Sequence, residues 1–138
     1  MKRTAQAQWF GNLKEGKGDI TTQSGILNHT NYSFKTRFTG EETGTNPEEL
    51  LAAAHAGCFT MAVSAALTEK GLTPQSLHTE AIVQMEGLSI TTVHLHITGQ
   101  VEGLSADDFK SITKIAEKNC LISKVLSIPI SSEAHLLA

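Results

Sequence analysis

Two side chains stand out as possible nucleophiles, Cys58 and Cys120, the two cysteines of a 138-residue sequence. They are too few for a disulfide scaffold, and in a reducing compartment a permanent bridge between them would be unusual. Each is therefore either a reactive thiol or a buried apolar side chain, and only the thiolate attacks. Histidines open two further chemistries. His94 and His96 share one face of a strand-like run and His55 precedes Cys58 by three residues, but the spacing matches no dense zinc-ligand motif. A solvated strand face for His94 and His96, and a hydrogen-bonded helix position for His55, are the plainer readings. A cysteine hydrolase needs an orienting histidine and a third group. His55 is the one local candidate, and its i, i+3 position gives poor attack geometry. Phosphate-binding glycine motifs are absent.

The element that must position Cys58 is a long helix, Asn46 to Gly71. Asn46 is suited to cap its start, with Pro47 at the first helical position and Glu49 as a capping-box partner. Gly71 is suited to end it in a left-handed conformation. From Leu50 to Leu67 the helix carries no formal charge and is apolar or small on every side. About 20 apolar residues span a bilayer, but the many alanines and glycines, the interruptions at His55, Thr60 and Ser64, and the lack of a second such segment favour a buried central helix. A helix without a polar face needs cover all round, more than one small chain offers, which predicts a partner subunit. On the helical wheel Cys58 shares its face with Leu51, Ala54, His55, Met61, Ala62 and Ala65. Packed apolar surroundings raise a thiol pKa and leave it inert. The dipole of this helix acts only within its first turn, so an activating cation must come from another element.

The remaining sequence reads as a single α+β domain, residues 1–138, with antiparallel pairing. Ala5 to Gly11 and Asp19 to Gln23 form two strands, and Tyr32 to Phe38 alternates as a third, which places Arg37 beside Lys35 on a wet face. After the central helix, His78 to Met85 and Ile90 to Val101 form a hairpin about Glu86-Gly87. Ser105 caps a second helix ending near Lys118 or Asn119, a short third helix starts at Cys120, and Ile128 to Leu136 is a last strand. A net charge of −3 and a pI near 6.0, with 11 Lys and Arg in no run, offer no footprint for nucleic acid or an anionic membrane. No apolar region follows the basic residues near the start, which leads to the expectation of a cytoplasmic protein.

Local pattern leaves Cys58 open between core and catalyst, and family likeness bears on the choice. The stretch TNPEELLAAAHAGCF resembles the signature of the OsmC/Ohr family of hydroperoxide reductases. ILN, FKTRF and the CxxS motif at Cys120 and Ser123 point to the OsmC branch, and the similarity extends to WFGNLKEGKG near the start. The resemblance implies an OsmC-like fold, an antiparallel sheet wrapping a long buried central helix in an interlocked homodimer with sites at the interface. It implies Cys58 as peroxidatic nucleophile, Cys120 as resolving cysteine, and Arg37 and Glu48 as polar partners. Arg37 keeps its charge and can favour the thiolate, and Glu48 can hold the guanidinium in a bidentate pair. The implied cycle takes an organic hydroperoxide or hydrogen peroxide, passes through a Cys58 sulfenic acid and a Cys58–Cys120 disulfide, and uses an external dithiol of lipoyl or similar type, with no metal or prosthetic group. A non-catalytic, ligand-binding or structural dimer that keeps the fold is the alternative. One departure stands out: the resolving cysteine of the family is commonly followed by proline, and here Leu121 follows Cys120.

Overall fold

In the computed structural model, which describes residues 1–138, the segments 1–50 and 51–138 each form a compact unit. The first holds a three-stranded antiparallel sheet of β1 (Ala5–Phe10), β2 (Lys17–Thr22) and β3 (Thr30–Tyr32) in that order. Trp9, Gly18 and Tyr32 lie opposite one another across the three strands. A Cβ on Gly18 would come within 2.6 Å of the Tyr32 ring and 2.7 Å of the Trp9 ring. Glycine there lets the two rings meet edge to face, with centroids 5.5 Å apart.

The third strand is shorter than the alternation predicts. It stops at Tyr32, and Lys35–Thr39 form a π-helical turn closed by Gly40 in the left-handed region (φ 69°), so Arg37 is not a strand residue. The cause is a local hydrogen-bond competition. The Ser33 amide donates to Thr36 Oγ1 (2.7 Å), the Thr36 amide donates to Ser33 Oγ (3.2 Å), and Thr36 Oγ1 donates to the Ser33 carbonyl (3.0 Å). With both side chains buried, these bonds replace a strand ladder.

Helix α1 spans Pro47–Glu69. Asn46 caps it, its Oδ1 accepting from the Glu49 amide at 2.8 Å, but the Glu49 carboxylate accepts from Thr45 Oγ1 (2.9 Å) and the reciprocal half of the capping box does not form. At the other end the amides of Leu72 and Gly71 donate to the carbonyls of Leu67 and Thr68 around a left-handed Gly71 (φ 75°). This pairing is the Schellman motif. Within the chain α1 buries one stripe, His55, Phe59, Val63 and Leu67, each wholly inaccessible. The Cys58 face is not packed as the wheel suggests: Ala54 and Ala65 are exposed, Met61 is 75 % exposed and Cys58 is half-buried.

Strands β4 (Ser76–Glu86) and β5 (Ser89–Gln100) form the expected hairpin, with Val83, Ala81 and Thr79 opposite Val93, Leu95 and Ile97 on the core face. Helix α2 (Ala106–Asn119) starts at Ser105, whose hydroxyl accepts from the Asp108 amide, and α3 (Leu121–Val125) follows after one residue. Strand β6 (Ile130–Leu136) joins the outer side of β5, so the second sheet runs β4-β5-β6. It pairs parallel to β5, which corrects the wholly antiparallel expectation. Two consecutive strands can be parallel only when a crossover of a dozen or more residues carries the chain back, and α2 with α3 is that crossover. The core joins Phe59, Val63 and Leu67 of α1, Val93, Leu95 and Ile97 of β5, and Phe109, Ile112 and Ala116 of α2, and it reaches Cys120.

Candidate active site

Cys58 and Cys120 approach to 3.1 Å and neither is bonded covalently. Cys120 is held by its backbone: its amide donates to the Ala116 carbonyl of α2 (2.9 Å) and its carbonyl accepts from the Lys124 amide of α3 (3.1 Å). Its extended conformation (φ −56°, ψ 129°) breaks the path between the helices and turns the start of α3 toward the sulfurs. The first amides of a helix have no partner within it. Here those of Leu121 and Ile122 face the Cys58 sulfur, and those of Ile122 and Ser123 face Cys120.

These donors divide the two thiols. Burial pushes the Cys58 thiol up, but the Ile122 amide, Cys120 and the Leu121 amide outweigh it and leave Cys58 below its ordinary pKa. Cys120 is buried more deeply, 1 % exposed, and that burial leaves it above its ordinary value despite the Ser123 amide and hydroxyl. One sulfur is thus disposed to be the thiolate and the other its proton-bearing neighbour.

A second cluster lies within residues 1–50. Arg37, presented by the π turn, meets Glu48 in the first turn of α1 through a forked pair: Nη2 to Oε1 at 2.6 Å, and Nε to Oε1 at 3.0 Å and Oε2 at 3.2 Å. Burial opposes ionisation of Glu48, which is 8 % exposed, yet the guanidinium holds its carboxyl below the usual range. The hydrogen bond to Glu48 in turn raises Arg37. The guanidinium lies over the Phe38 ring, 5.1 Å from its centroid. Trp9, Leu13, Tyr32, Phe34 and Phe38 wall a cavity of about 280 Å³ that Arg37 also lines. The rim is a cation among aromatic faces.

The family model described as OsmC-like protein matches residues 40–133. Peroxiredoxin OsmC of Escherichia coli is 44 % identical to this chain, over 97 % of this chain and 96 % of that protein. The chain belongs to the OsmC family. Solved structures agree at the level of fold. The organic hydroperoxide resistance protein OhrB of Bacillus subtilis superposes with a TM-score of 0.66 at 21 % identity, covering 97 % of this chain and 98 % of that one. An OsmC-like protein from Mycoplasma pneumoniae gives 0.73 at 15 % identity, covering 100 % and 99 %.

Of the four residues expected from the family likeness, the structure of this OsmC-family chain brings Cys58 to Cys120 and Arg37 to Glu48, each pair within one unit. The α3 amides were not anticipated, since backbone donors carry no sequence letter; the clue available was a short helix opening directly after a cysteine. Nor was the partner of His55, Ser123 Oγ, anticipated, although Ser123 stands in the CxxS motif. His94 bonds Ser131 (2.6 Å) and Glu133 (3.1 Å) on the solvent face of β5 and β6, and no three metal-ligating side chains converge.

Proposed function

We propose that this protein is a two-cysteine thiol peroxidase that reduces organic hydroperoxides. The observation that carries the reading is the sulfur pair at 3.1 Å, with the α3 amides aimed at Cys58. The Cys58 thiolate attacks the outer peroxide oxygen, the O–O bond breaks, and the alcohol leaves as Cys58 becomes a sulfenic acid. Cys120 then attacks that sulfur, water leaves, and the disulfide is reopened by an external dithiol through exchange. Arg37, held by Glu48, serves the developing negative charge on the leaving oxygen. The aromatic walls of the cavity that Arg37 lines suit the carbon part of an organic hydroperoxide better than hydrogen peroxide.

The working form in this reading is a homodimer. Support comes from α1, which has no polar face and leaves Ala53, Ala54, Gly57, Met61 and Ala65 uncovered within the chain. The Escherichia coli relative is named a peroxiredoxin, which supports the chemistry. The test is consumption of cumene hydroperoxide in the presence of a dithiol. Wild type should turn over, Cys58→Ser should not while keeping its circular dichroism, and Cys120→Ser should stop after one oxidation equivalent. Undiminished turnover by Cys58→Ser rejects the assignment. A well-folded monomer by light scattering at micromolar concentration rejects the dimer.

A further inference from the structure

His55 lies one helical turn before Cys58 and is wholly buried. Its Nε2 is 2.8 Å from Ser123 Oγ, and its Nδ1 has no partner. A neutral imidazole carries one N–H. Placing that proton on Nδ1 would bury an orphaned donor, the rare and costly case. Placing it on Nε2 gives it to Ser123 and leaves Nδ1 only a bare lone pair. The imidazolium would orphan the same N–H, and burial works against it. The tautomer is therefore Nε2–H, and the Ser123 hydroxyl, accepting from His55, has its own proton free for the sulfur it faces, that of Cys120.

We propose that His55 and Ser123 form a hydrogen-bond relay that readies Cys120 to attack: His55 Nε2–H donates to Ser123 Oγ, and Ser123 O–H donates to Cys120 Sγ. In this relay Ser123, three residues along α3 from its cap Cys120, is the group that acts on the reacting sulfur, and His55 is a positioning residue acting through it. The biological step served rests on the peroxidase reading above. In that step Cys120 gives up its proton, its sulfur bonds the Cys58 sulfenic sulfur, the S–O bond breaks, and the departing hydroxide takes the proton as water. The titratable groups facing the relay are Cys58 from α1 and Glu117 from α2, whose charge is felt by His55 and which is itself tied to Lys114 and Ser132. Lys124, the charged residue of α3, is exposed.

The test needs no peroxide. Cys58 is converted to a mixed disulfide with thionitrobenzoate, and the coloured thiolate expelled as Cys120 closes the ring is followed against pH. Wild type should rise to a plateau. Ser123→Ala should move the midpoint up by about one pH unit, slowing closure about tenfold below it while keeping the plateau. Ser123→Thr should restore the midpoint, and His55→Phe should shift it in the same direction by less. An unchanged midpoint in Ser123→Ala, or a loss confined to the plateau, overturns the relay and leaves Ser123 a packing residue. Nitrogen NMR of the wild-type ring is a second measurement, independent of how the variants fold: the Nε2–H tautomer is expected, and Nδ1–H overturns the proposal. A chain that closes its disulfide with these shifts yet consumes no hydroperoxide sinks the peroxidase reading alone.

Discussion

Leu121→Pro isolates one backbone donor. Leu121 opens α3 with its side chain 70 % exposed, and its amide faces the Cys58 sulfur. Proline is tolerated at a first helical position because the missing N–H has no partner within the helix. The residue before a proline must be extended, and Cys120 already is, at φ −56° and ψ 129°. The substitution therefore removes an N–H and little else, and should leave stability unchanged or raise it by about 0.4–1 kcal/mol. A hydrogen bond to a charged group contributes about 1.5–3 kcal/mol. Sulfur is a weak acceptor and Cys58 is half-buried, so the low end applies, which is about one pKa unit. The sign follows from the charge: the donor stabilises the thiolate, so its loss raises the Cys58 pKa. Iodoacetamide alkylation of Cys58 against pH should show the midpoint moving up by about one unit, with stopped-flow oxidation by cumene hydroperoxide shifting in parallel. A midpoint that stays or falls while the protein melts normally would show that the Leu121 amide does not act on this sulfur. A chain with proline at this place would lack the donor, so Leu121 supplies one amide at no cost to the start of α3.

Arg37→Met should slow the peroxide step about a hundredfold, and Arg37→Lys should recover only part of it because a point charge lacks the planar fork. The methionine variant also strands the buried Glu48 carboxylate, at a cost on the order of 2 kcal/mol once the partial exposure of the guanidinium is allowed for. Adding Glu48→Gln should restore the denaturation midpoint and not the rate, and recovery of both would make the pair purely structural. Phe59→Ala, at a wholly buried core position, should cost about 3–5 kcal/mol in urea unfolding; a loss under 1 kcal/mol would contradict the packing described for α1.

Legibility in the sequence followed how local the determining forces are. The limits of α1 were readable because Asn46 and Gly71 act on their own neighbourhoods, and the β4–β5 hairpin because alternation and the Gly87 turn agree. The π turn was misread because Tyr32, Phe34, Thr36 and Phe38 alternate as a strand would, while the Ser33–Thr36 bonds that decide otherwise are two unremarkable hydroxyl residues in sequence. The direction of β6 had no local sign, since parallel and antiparallel edges bury the same Ile130, Ser132 and Ala134 face. At the site, residue identities came through family likeness. The donors that divide the two thiols are main-chain atoms placed by the break at Cys120.

The parallel pairing of β6 has a consequence for how this chemistry can change over generations. Strand direction obliges the chain to make a long detour between Gln100 and Ile130 whatever else it does. Cys120 rides on that detour, at the joint between its two helices, and not on the ladder it connects. Residues around the joint, Leu121 among them, take part in no strand register and can be exchanged without moving one. Cys58 has no such freedom, because a shift of one position along α1 would rotate the buried stripe of Phe59, Val63 and Leu67 out of the core. In the proposed cycle the attacking sulfur is anchored by the architecture, and the answering sulfur is the adjustable half of the pair.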